Sequence, residues 1–131
     1  MEKIEKVKFW IEKAERDFVM VEKLYKGKEY MYCLFFGQLA LEKLFKALYI
    51  KLNDSVPPFV HDLAYLAGKC NLDVDKDLVM DLKEISGFNI NARYDDYKNN
   101  FFNKADAIYT KKYFQKVKEV EKWLKKEILK K

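Results

Sequence analysis

Gly37-Gln38-Leu39-Ala40-Leu41-Glu42-Lys43-Leu44-Phe45-Lys46-Ala47 lies inside a helical segment predicted from about Lys28 to Leu52. The run from Tyr30 to Leu41 just upstream and into it carries no charge. A helix apolar nearly all round has to be enclosed by others, so this one reads as the central staff of a helical bundle. Gln38, Glu42 and Lys46 enter at i, i+4 and i+8, which stacks them on one stripe. The stripe is either a site or the place where the helix emerges into water. Glu42 four residues before Lys46 is also the favourable order for an ordinary ion pair.

Working outward, Ile4, Val7, Ile11, Ala14, Phe18, Val21 and Tyr25 alternate spacings of three and four, which predicts an amphipathic first helix ending near Gly27. Trp10 and Asp17 flank that stripe. Either could face a groove between helices; Asp17 also reads as a solvated edge carboxylate beside Arg16 and Lys13. Downstream, Asn53-Asp54-Ser55 and the pair Pro57-Pro58 stop the second helix, because proline cannot continue the ladder. Val60 to Ala67 then reads as a short helix with Asp62 at its open amides. A further helix from Asp77 is set by Leu78, Leu82, Ile85 and Phe88, ending around Ser86-Gly87 or slightly later. Asn89 to Asn100, rich in asparagine and aspartate, reads as a polar loop. From about Ala105 to the end, Tyr109, Tyr113, Val117, Val120, Leu124 and Ile128 line one side of a last helix.

The fold expected is therefore all-α: an up-and-down four-helix bundle with an additional short helix, one domain over residues 1–131. With 131 residues, half of them hydrophobic, four glycines and two prolines, a single core suffices. The N-terminus has no apolar signal core, and the uncharged run falls short of the ~18 residues that a membrane span needs, so a soluble cytoplasmic chain is expected. Cys33 and Cys70 form no CxxC pair and there is one histidine, so neither a metal nor a cofactor is expected; both cysteines read as reduced.

The net charge of +5 permits an acidic partner, but it is spread over lysines. Of 26 basic residues only Arg16 and Arg93 are arginine, which singles out Arg93 for its planar fork of donors. Tyr94 and Tyr97 beside it could stack on a base or sugar. Alternatively Arg93 is a clamp paired with Asp95, Asp96 or Glu42. His61, the lone histidine, could anchor a loop by a hydrogen bond or work as an acid–base group. DxD at Asp73 and Asp75 lacks the glycine and closing glutamate of a calcium loop, and turn chemistry accounts for it.

Taken together, Trp10, Ala14 and Asp17 in a first helix, Gln38 to Ala47 in the second, His61-Asp62-Leu63 after a proline loop, and Ala92-Arg93-Tyr94 followed by Asp95 resemble a HEPN domain over nearly the whole chain. That resemblance implies a homodimer whose cleft gathers the polar residues. It also implies either a metal-independent ribonuclease, commonly a toxin, or the partner of a small nucleotidyltransferase, with nucleotide binding proposed for some members. Ribonuclease members share an arginine followed after four to six residues by a histidine. Here Arg93 matches the arginine, while Lys98, Asn99 and Asn100 occupy the histidine positions. The expectation is a protein with an incomplete ribonuclease motif, of toxin–antitoxin type, that binds a nucleotide, nucleic acid or nucleotidyltransferase through Gln38, Glu42, Lys46, Arg93, Tyr94 and Tyr97. The alternatives are an RNA endonuclease using Arg93 with His61, and a purely structural helical dimer.

Overall fold

A computed structural model describes residues 2–130; Met1 and Lys131, the ends of the expected 1–131 domain, lie outside the described residues. Six helices follow one another: α1 (Lys3–Lys26), α2 (Tyr30–Asn53), α3 (Leu63–Lys69), α4 (Lys76–Arg93), α5 (Asp95–Lys104) and α6 (Ala107–Leu129). The long helices α1, α2, α4 and α6 make the all-α bundle, and α3 is its additional short helix.

Helix α2 is the staff that the sequence implies. It packs against all five other helices, and Leu34, Leu41, Leu44, Phe45 and Leu48 are fully enclosed. It comes close to α6 at Gly37, where a Cβ would sit 3.1 Å from Val117 Cγ2, tighter than ordinary contact. Helix α1 ends near Gly27 as expected, but Lys28, not the glycine, takes the left-handed turn, with φ of 60°. Asp54 does the same at the end of α2.

Asp side chains open three helices. Asp62 accepts from Tyr65 N at 3.1 Å, Asp75 from Leu78 N at 2.8 Å and Asp106 from Tyr109 N at 2.8 Å, each satisfying an amide that the first turn leaves without a partner. Ser86 fastens α3 to α4 by accepting from Leu63 N at 2.9 Å while donating to Leu82 O.

Three readings need correction. Asn89 to Asn100 is not a loop: α4 runs on to Arg93, only Tyr94 leaves the helical conformation (φ −99°, ψ 126°), and α5 starts at once. Gly87 does not end α4 because Phe88, Asn89 and Ala92 carry its buried stripe onward. Asp17 is not a solvated edge residue. It is buried and receives a 2.5 Å hydrogen bond from Lys43 of α2, tying the two longest helices together.

Candidate functional site

The stripe on α2 is occupied by a hydrogen-bonded chain that draws on three elements. Asn89 Nδ2 of α4 donates to Gln38 Oε1 at 2.9 Å. Gln38 Nε2 donates to Glu42 Oε1 at 2.9 Å and to the His61 carbonyl at 3.3 Å. His61 Nδ1 lies 2.7 Å from the same Glu42 oxygen, and Lys46 Nζ donates to Glu42 Oε2 at 2.9 Å. Gln38 is fully buried and Glu42 nearly so. Within this hydrogen-bonded network Asn89 Oδ1 is buried without a partner among the described residues.

Burial alone would push the Glu42 carboxyl up, but hydrogen bonds from Gln38, Lys46 and His61, with the Lys46 charge, outweigh it and hold its pKa below the ordinary carboxylate value. Glu42 is therefore an anion that only accepts, so His61 Nδ1 carries the proton on that side. The His61 side chain is 51% exposed, and its Nε2, in the neutral ring, is left with a free lone pair. A carboxylate that orients an imidazole in this way leaves a nitrogen able to take a proton.

Arg93 lies one turn beyond Asn89 on the same helix. It is exposed, its guanidinium rests 5.6 Å from the centre of the Tyr94 ring, and it forms no ion pair among the described residues. The clamp reading fails for a physical reason. Asp95 and Asp96 occupy the first turn of α5, where their charge complements open amides, and Glu42 is already held by Gln38, Lys46 and His61. Tyr94 and Tyr97 are about half exposed and outside the buried chain.

The structure thus brings Gln38, Glu42, Lys46 and His61 together and leaves Arg93, Tyr94 and Tyr97 on the adjoining surface. The stripe expected to bind a ligand together with Arg93, Tyr94 and Tyr97 is covered by His61 and Asn89. Sequence reasoning misses Asn89 because it falls in the segment read as a loop. The i+4 step from Ile85 is the available signal.

Between the start of α2 and α5, Met31, Tyr32, Asp95, Lys98, Asn99 and Phe102 line an open cavity of about 400 Å³. The Lys98 ammonium sits 5.5 Å from the Tyr32 ring centre. No group of three metal-ligating side chains occurs among the described residues. No described helix is long and apolar enough to cross a membrane. Cys33 and Cys70 are free and buried, and burial pushes both thiols up to about 12, which makes them poor nucleophiles.

In comparisons with known proteins, a family model described as HEPN domain matches residues 7–128. Among solved structures, TT1696 from Thermus thermophilus superposes with a TM-score of 0.78 at 18% identity, covering 93% of this chain and 98% of that one. At that identity the likeness concerns the fold. No curated protein matches the chain.

Proposed function

The chain belongs to the HEPN domain family, and from that premise we propose that it binds the phosphate of a nucleotide or of single-stranded RNA at the junction of α4 and α5. Family membership carries a nucleotide- or RNA-related role in general. The observation that supports this particular site is the unpaired, exposed Arg93 set on Tyr94. A guanidinium without a carboxylate presents its fork of donors to two phosphate oxygens at once. Tyr94, Tyr97, Tyr32 and Phe102 offer exposed rings on which bases can stack, and Lys98 adds a second positive charge at the neighbouring cavity. The buried chain from Asn89 to Lys46 fixes the helix that carries Arg93.

Fluorescence anisotropy with a labelled single-stranded RNA tests this. Arg93→Ala is expected to weaken binding by about tenfold or more, the loss of a charge-assisted contact. It should also lower the slope of log affinity against log salt by about 0.7, as for one lost phosphate contact. Equal affinity and slope for Arg93→Ala would refute the site.

A second reading, the metal-independent RNA endonuclease, is favoured by one observation, the 2.7 Å contact that orients His61 on Glu42. Incubating RNA with the protein in EDTA decides it: cleavage lost in both Arg93→Ala and His61→Ala supports the enzyme, and intact RNA with the unaltered protein removes it. Family membership alone supports the finer readings of a nucleotidyltransferase partner and a toxin–antitoxin role. The homodimer belongs with them; light scattering is expected to give twice the 15.7 kDa of the chain, and a mass of one chain would refute it. A dimer that binds no nucleotide or RNA would be the purely structural protein.

A further inference from the structure

A separate cavity of about 330 Å³ opens between the first half of α1, the last turns of α2 and the loop that follows α2. Its walls are apolar: Phe9 and Trp10 stand edge to face with ring centres 5.6 Å apart, and Val56 and Phe59 close the loop side. Phe59 is 90% and Val56 72% exposed, so with Phe9 they leave a contiguous apolar patch at the mouth of the cavity. The volume lies in the range of small-molecule sites.

The charge at the rim has one sign. Lys6 and Lys46 are the charged lining residues, and no carboxylate lines the cavity. Lys46 connects it with the buried chain described above, since its ammonium bonds Glu42 on one side and lies 5.5 Å from the Trp10 ring centre on the other. One of its three N–H donors goes to Glu42 and the others remain available. Lys6 is exposed and forms no ion pair among the described residues. The loop is held at both ends, by Asp54 N donating to Ile50 O at 2.8 Å and by His61 on Gln38 and Glu42. The loop that carries Val56 and Phe59 is therefore tied to the bundle at each end.

We propose that this cavity binds a small amphiphilic anion, with an acyl or aromatic body on Trp10, Phe9, Val56 and Phe59 and a single carboxylate or equivalent head between Lys6 and Lys46. A nucleobase is a poor occupant, because the neutral polar groups of the lining are only the Ser55 hydroxyl and the Trp10 indole N–H, too few to read a base edge. The site is thus distinct from the Arg93 surface in both place and chemistry.

Trp10 reports occupancy once the other tryptophan, Trp123, which lines a different cavity, is changed to phenylalanine. In that Trp123→Phe protein, titration with decanoate below its micelle concentration is expected to change Trp10 fluorescence saturably. Decylammonium, with the head charge reversed, should bind at least tenfold more weakly, as should decanoate to the added surface variant Lys6→Glu. Phe59→Ser should weaken both ions, whereas Arg93→Ala should leave decanoate binding unchanged, which separates this site from the RNA reading. The proposal is overturned if decanoate gives no saturable change, if decylammonium binds equally well, or if the Trp10 signal follows protein concentration in step with a doubling of mass, which would make a second copy the occupant.

Discussion

Glu42→Ala is expected to lower unfolding free energy by about 3 kcal/mol, the low end of what removing one partner of a buried pair costs. Three donors converge on this carboxylate, from Gln38, Lys46 and His61. Without it the Lys46 ammonium, whose side chain is only 12% exposed, has lost its counter-charge. The long lysine stem can swing toward the cavity beside Trp10 and recover some hydration, which is why the low end applies. Glu42→Gln should recover less than half of the loss. A glutamine has one acceptor oxygen, and its amide nitrogen would face either Lys46 or the Gln38–His61 pair, donor against donor. Glu42→Leu with Lys46→Met removes both charges together and is expected to be more stable than Glu42→Ala. Urea midpoints at unchanged m-value measure all three.

The pH dependence of this prediction has a definite sign. The folded-state pKa of Glu42 lies below the ordinary 4.5, so the unfolded chain takes up its proton first as pH falls. Its contribution is fully present above pH 4.5 and disappears as pH drops through the folded value. The stability gap between the unaltered protein and Glu42→Ala should therefore be constant near neutrality and narrow below about pH 4.5. A gap under about 1 kcal/mol at neutral pH, or one that widens on acidification, would contradict the network as described.

Spacing makes part of this site legible and length of chain hides the rest. Gln38, Glu42 and Lys46 share a stripe because the helix repeat puts them there, and the uncharged run before them already requires an enclosed helix. What closes the stripe comes from 51 residues away in Asn89 and 23 in the His61 carbonyl, and no local pattern announces such contacts. Asn89 and α5 are hidden for a common reason. Asparagine and aspartate compete for backbone hydrogen bonds and so signal turns, yet here they lie within helices. In α5 a single residue, Phe101, is buried, so the helix has no apolar stripe to give it away. Asp17 misleads because its partner Lys43 belongs to another helix, while the neighbours visible in sequence, Arg16 and Lys13, are not the ones it meets. Family resemblance correctly names the fold, and the geometry then shows that Arg93 stands free of the clamp that its acidic neighbours suggest.

Phe88→Ala is expected to cost about 3–5 kcal/mol, as for other large aromatic residues removed from a core. Phe88 is 1% exposed, and its ring centre lies 5.2 Å from Phe101, 5.6 Å from Tyr113 and 6.2 Å from Tyr109. It thus joins α4, α5 and α6 at one point. The loss falls unevenly, because α5 has no buried side chain other than Phe101, which stacks on Phe88. In Phe88→Ala, amide hydrogen exchange in α5 should accelerate well beyond that in α2, whose core contacts with α1 and α6 are untouched. RNA affinity should fall as well, although Arg93 itself is unchanged, because α5 carries Tyr97 and Lys98. Phe101→Ala separates the two effects. It leaves Phe88 packed on both tyrosines, so it should release α5 with a smaller global loss of stability. If both variants kept α5 as protected as α2, the helix would be held by something other than this stack, and the aromatic surface next to Arg93 would not depend on it.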